Sequence, residues 1–156
     1  MSAQERIAEV VLDPASIIHR TPEIEHERRV AVADLVEENR FAPKEFACGP
    51  YGLFVTSVEN RLLFDIRAEA LTEPYNLTLA ISPFRSIIRD YFVICDSYVE
   101  AIKHGSPHRI EALDMGRRAT HNEGSELLQT LLEPKVSVDF DTARRLFTLI
   151  CVLHLK

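Results

Sequence analysis

The stretch of this sequence best equipped for chemistry is Asp114-Met115-Gly116-Arg117-Arg118-Ala119-Thr120-His121-Asn122-Glu123-Gly124-Ser125-Glu126. A helix beginning near Pro107 would run through it. The core-facing stripe of Ile110 and Leu113 would then continue through Arg117, His121 and Gly124 to Leu128 and Leu131. Arg117 and His121 fall where the helical period asks for apolar residues. Polar groups on such a stripe must be paired, solvated in a cleft, or functional. In the functional reading His121 moves protons near neutrality, with Glu123 and Glu126 as further catalytic candidates. Arg117 and Arg118 hold a carboxylate or phosphate, with Asn122 beside them as a ligand-binding candidate. In the structural reading the segment is a salt-bridged helix junction. Glu123 and Glu126 then pair with the arginines, and Asn122 or Ser125 caps a restart. Gly116 and Gly124 each weaken the helix by about 1 kcal/mol relative to Ala. A break near Asn122–Gly124 therefore competes with one continuous helix.

A second charged group is Arg85 and Arg89, at the start of a helix opened by Ser82-Pro83. Basic side chains are unfavourable against a helix N-terminus. Arg85 is therefore a candidate to hold an anion there, or to pair with Asp65 or Glu69. Metal chemistry has little to stand on. His104 and His108 are separated by Gly105-Ser106-Pro107, which keeps them off one helical face. Cys151 and His154 could face together but lack two further ligands. There is no Gly-x-Ser-x-Gly elbow, no Gly-rich phosphate loop and no dinucleotide fingerprint, and no cofactor is expected.

These residues must be positioned by an ordinary globular chain. Its 156 residues can bury roughly 70% of the surface the unfolded chain exposes, so no disulfide or structural metal is needed. The net charge of -6 weighs against nucleic acid and against an anionic membrane surface. Arg144 and Arg145 on the last helix could be offered to nucleic acid, but no aromatic platform accompanies them. Cys48, Cys95 and Cys151 are few, odd in number and unpaired in spacing, as in a reducing compartment. Met1 to Arg6 is polar and lacks a signal-peptide pattern, and no apolar run could span a bilayer. The expectation is a cytoplasmic protein.

The spacing predicts a strand at Ile7–Leu12, then a helix from Thr21-Pro22 to about Asn39 carrying Ile24, Ala31, Val32, Leu35 and Val36 on one face. Phe41 to Pro50 reads as a loop. Leu53–Val58, Leu62–Ile66 and Leu77–Ile81 alternate apolar with polar residues and read as an antiparallel meander, the first turn being Glu59-Asn60. The helix from Pro83 to about Gly105 is apolar round much of its girth, and Ser106-Pro107 opens the next. Val136, Val138 and Phe140 alternate as a short strand. Asp141 is expected to cap a last helix that is again apolar nearly all round. The fold class is α+β. It is a single domain over 1–156, with a mostly antiparallel sheet of four or five strands and about four helices layered on one face. The surplus of apolar helix surface points to a homodimer or to a thick helical layer within one chain.

Several segments carry a family resemblance: Pro22 to Arg29, Ser82-Pro83-Phe84-Arg85, Asp90-Tyr91-Phe92, Ile94 to Tyr98, Asp114 to Arg118, His121 to Leu128 and Asp139 to Phe147. Together they resemble an uncharacterised family of small bacterial cytoplasmic proteins, number 0262 of its series, over nearly the whole chain. The resemblance implies a bacterial cytoplasmic protein. It implies no activity, because the family has none assigned. Two functional expectations remain: a non-catalytic interaction or regulatory module with itself or another protein as partner, and a small enzyme or anionic-metabolite binder built on Arg117–Glu126.

Overall fold

The computed structural model of the chain describes residues 4–16 and 22–154. The elements in chain order are β1 (Ile7–Leu12), α1 (Pro22–Glu37), β2 (Phe41–Pro43), β3 (Tyr51–Val58), β4 (Arg61–Arg67), β5 (Tyr75–Ala80), α2 (Arg85–His104), α3 (Pro107–Leu132), β6 (Val136–Val138) and α4 (Phe140–Leu153). The architecture is α+β.

Alternation sets the sheet. β3, β4 and β5 form an antiparallel meander, with Leu53 opposite Ile66, Val55 opposite Phe64, and Phe64 opposite Leu77. All five side chains are buried, so the register puts one apolar row from each strand on the same face. The two-residue turn Glu59-Asn60 joins β3 to β4, and Glu59 takes the left-handed conformation (φ 56°) that glycine more often supplies. β1 adds to β3 in parallel, giving the order β1-β3-β4-β5.

Four expectations change in detail. Phe41 to Pro50 is not all loop: β2 pairs antiparallel with β6 in a separate two-stranded ladder. Phe41 and Val138 are both buried there, so a three-residue run suffices once a partner strand covers it. Ser82 does not cap α2. Residues Ser82–Phe84 form a 3-10 turn without a side-chain cap bond, and the α-helix begins at Arg85. α4 is capped by Asp139, which accepts from the Thr142 amide at 3.0 Å, and not by Asp141. Phe140 opens that helix instead of ending a strand. The Thr21 cap of α1 lies outside the described residues, as does the side chain of Ile24. Ser106 does cap α3, accepting from the Arg109 amide.

α4 is the central helix. Leu146, Phe147, Leu149, Ile150, Cys151, Val152 and Leu153 are all buried, and α4 packs against α1 and α3. Its all-round apolar surface is therefore covered within one chain. α2 behaves differently. Its inward face is buried at Ile87 and Ile88, half-buried at Tyr91, Cys95 and Tyr98, and ends on buried Ala101, beside which Val99 (50% exposed) and Ile102 (56%) face solvent. The far end of the α2–α3 hairpin thus carries apolar residues beyond the core, with Met115 (65%) exposed on α3.

Candidate functional site

α3 is one continuous helix of 26 residues, so the competing break near Asn122–Gly124 does not occur. The reason lies at Gly124. A Cβ there would overlap the ring of Phe147 on α4. The glycine costs helix propensity but lets α3 and α4 approach closely. No restart is needed, and Ser125 spends its hydroxyl on the His121 carbonyl (2.8 Å) instead of capping anything.

Continuity of α3 places its polar residues on the core side, where α2 and α4 meet it. Tyr91 from α2, Arg117, Arg118 and His121 from α3, and Arg144 and Thr148 from α4 line an open cleft of about 270 Å³. Three arginines thus share the lining of one cleft. Asp114 accepts from Arg117 and, through its other oxygen, from Arg118 at 3.1 Å. The Arg117 guanidinium also lies over the Tyr98 ring, 4.4 Å from its centroid, a cation–π contact that fixes its direction. Hydrogen bonding to Asp114 raises the Arg117 pKa further, so the group is a permanent cation. Arg118 is 72% exposed, held on one side by Asp114. Arg144 is exposed and has no ion pair among the described residues.

His121 forms the floor of the cleft. It is buried, with its ring 5.3 Å from Tyr91 and edge-on to Phe147 at 5.1 Å. Burial, then the nearby charges of Arg144 and Arg117, push its pKa down to about 4. The imidazole is therefore neutral at physiological pH. Nε2 lies 2.8 Å from Thr148 Oγ1 and Nδ1 lies 3.5 Å from Ser125 Oγ, and which nitrogen donates depends on the tautomer. Each hydroxyl also reaches a backbone carbonyl one turn back, Arg144 for Thr148 at 3.0 Å and His121 for Ser125 at 2.8 Å. A single neutral ring cannot donate to both hydroxyls.

The structure gathers Arg117, Arg118 and His121 into the cleft and leaves the other sequence candidates outside its lining. Glu123 and Glu126 are exposed, and Asn122 is half-buried. The arginines pair with Asp114, one turn earlier, and not with Glu123 or Glu126. Arg85 donates to the Asn60 side chain across the β3–β4 turn, and to neither Asp65 nor Glu69. Among the described residues no group of three His, Cys, Asp or Glu is placed to hold a metal ion. His154 Nδ1 lies 2.7 Å from the Ile150 carbonyl, while Cys151 is buried with its thiol pKa pushed up by desolvation.

Sequence reading missed Tyr91, Arg144 and Thr148 as lining residues. Arg144 and Thr148 are four apart and share a face of α4. That spacing was the available signal, but nothing in it says which helix lies opposite. A larger groove of about 380 Å³ lies between β1 and α1. Its lining is mostly aliphatic, and one of its two arginines, Arg28, is held by Glu25. It gathers fewer cations than the α2–α3–α4 cleft.

Fold and cleft together define an α+β protein with a basic cleft at a three-helix junction. The sequence matches the model of the Uncharacterised protein family (UPF0262) over residues 4–156, and the chain belongs to that family. A UPF0262 protein of Paramagnetospirillum magneticum is 52% identical over 156 residues, covering 100% of this chain and 99% of that protein. One from Rhizobium leguminosarum bv. trifolii is 54% identical over 149 residues, 96% of this chain and 94% of that protein. One from Hyphomonas neptunium is also 54% identical over 149 residues, 96% and 92% of the two chains. These bacterial relatives bear no assigned activity in their names. No solved structure matches the chain.

Proposed function

We propose that the protein is a single-domain, non-catalytic binding module of the bacterial cytoplasm that takes a small anion in the α2–α3–α4 cleft. One observation carries the reading: Arg117, Arg118 and Arg144 line one cleft, and among the described residues Asp114 is the one carboxylate in an ion pair with any of them. Guanidinium groups are strong, directional donors to oxyanions, and a partly enclosed site strengthens them over bulk water. A non-catalytic role fits the burial of His121 beneath the arginines, where desolvation and their charges keep its ring neutral. The test is a thermal-shift screen of the intact chain against small anions and metabolites. An anion present at 100 times its Kd should add about 2.7 kcal/mol of stability. The stabilisation should vanish in Arg144→Met. A screen without a hit, or a hit that survives the substitution, contradicts the reading.

A second observation favours a partner, and the partner we propose is a second copy of the chain. Val99 and Ile102 are exposed apolar residues flanking buried Ala101 at the end of α2, and Val93 and Met115 add exposed apolar surface on the same hairpin. Light scattering after size exclusion should give about twice the 17.8 kDa chain mass. Ile102→Glu should return the chain to one copy. A clean monomer of the unchanged chain at micromolar concentration rules this partner out.

A further inference from the structure

We infer that the anion taken by the cleft is a phosphoryl group, a tetrahedral dianion held jointly by Arg117, Arg118 and Arg144. The inference rests on the cleft being an anion site and adds the class of its ligand.

Charge is the first argument. Three arginines line the cleft, and the carboxylate that pairs with them, Asp114, offsets one, so the lining keeps an excess of positive charge. Such an excess favours a dianion over a monocarboxylate.

Direction is the second. Arg117 and Arg118 are consecutive on α3 and so leave its axis about 100° apart, while Arg144 enters from α4. A carboxylate has two oxygens in one plane and is filled by two forks, as Asp114 is by Arg117 and Arg118, which leaves none for a third from α4. A phosphoryl group has three terminal oxygens spread about a tetrahedron, so forks arriving from separate directions can each find one. The structure also holds a stand-in for two of those oxygens. The Asp114 carboxylate receives Arg117 on Oδ1 and Arg118 on Oδ2. Both α3 forks can therefore converge on one oxyanion, and Asp114 competes with the ligand for them.

Size is the third. The cleft's 270 Å³ falls just below the range of about 300–1,000 Å³ typical of pockets for drug-sized ligands. It admits a phosphoryl group with a short stem at the open mouth, so the ligand is either free phosphate or the phosphate end of a small phosphomonoester.

Isothermal titration of the intact chain at pH 8, where phosphate is mostly a dianion, separates the cases. Inorganic phosphate, methyl phosphate, succinate and acetate are the probes. Saturable one-site binding of inorganic phosphate is expected, with acetate at least tenfold weaker. Arg118→Met and Arg144→Met should each weaken phosphate at least tenfold with unchanged circular dichroism, since both side chains are exposed. Asp114→Asn should tighten phosphate several-fold by releasing the two α3 arginines. Methyl phosphate binding as well as inorganic phosphate assigns a phosphomonoester; its exclusion assigns the free ion. Succinate binding more tightly than phosphate overturns the phosphoryl assignment and leaves the anion site standing. Binding of neither overturns both. Phosphate binding that ignores Arg144→Met places the ion elsewhere and overturns the inference.

Discussion

α3 has two halves with different surroundings. From Gly124 to Leu132 it lies against α4, with Gly124, Ser125, Leu128 and Leu132 buried. From Pro107 to Arg118 it pairs with α2, no residue is fully buried, and Gly116 has open space where a side chain would be. His121 stands at the border. The inner half fixes the helix to the core, and the outer half presents arginines and an apolar edge to solvent. A continuous helix thus serves as a rigid mount, because the arginines inherit their position from the packing of Gly124 against Phe147. The same residue type plays opposite parts in the two halves, and substitutions there can break or sharpen the distinction.

The largest expected effect is on stability against pH, at the border itself. His121 has a folded-state pKa of about 4 against an ordinary 6.5. Between those values the unfolded chain binds the proton and the folded chain resists it. The stability from a neutral His121 is therefore full above pH 6.5 and is lost as pH falls toward 4, by up to about 3 kcal/mol. Denaturant unfolding at pH 7 and pH 4.5 should show the loss, and His121→Phe should flatten the dependence over that window. An unchanged slope in the variant would mean that His121 is not held neutral.

Gly124→Ala should come next. Helix propensity alone predicts a gain, but the Cβ overlaps the Phe147 ring, and overpacking of this kind costs about 1–3 kcal/mol. Gly116→Ala should act in the opposite sense and stabilise by about 0.5–1 kcal/mol, because nothing opposes the propensity gain. Chemical denaturation of the two variants side by side checks both signs, and equal signs would remove the distinction between the halves. The smallest effect is expected at the outer apolar edge. Met115→Gln should change the stability of an isolated chain by no more than about 0.5 kcal/mol, since the side chain is 65% exposed. A larger loss at high protein concentration, absent on dilution, would count towards self-association.

Much of the fold was legible because period-two and period-3.6 patterns report burial directly. Leu62, Phe64 and Ile66 alternate with half-buried or exposed neighbours and form β4. The stripe from Ile110 through Arg117 and His121 to Leu128 lies on the core side of α3 as its spacing implies. What the pattern missed depends on partners distant in sequence. β2 is three residues long and exists because Val136–Val138 lies beside it, 93 to 97 positions away along the chain. Gly124 reads as a helix-weakener in isolation and as a packing necessity once Phe147 is opposite. The site divided in the same way. Arg117, Arg118 and His121 stood out because they interrupt an apolar stripe. Arg144 interrupts nothing, and Tyr91 reads as core. Glu123 and Glu126 were adjacent in sequence, but α3 turns them to solvent and gives Asp114 to the arginines instead.

The central claim is that Arg117, Arg118 and Arg144 act together on one anion. Nitrogen-15 NMR of the arginine Nε–H groups, followed while inorganic phosphate is added to the intact chain, tests it most directly. The account predicts that these three resonances shift in concert along one saturation curve, while Arg28 and Arg145, held by Glu25 and Glu38, stay in place. Shifts confined to other arginines, or three curves with unrelated midpoints, would contradict it.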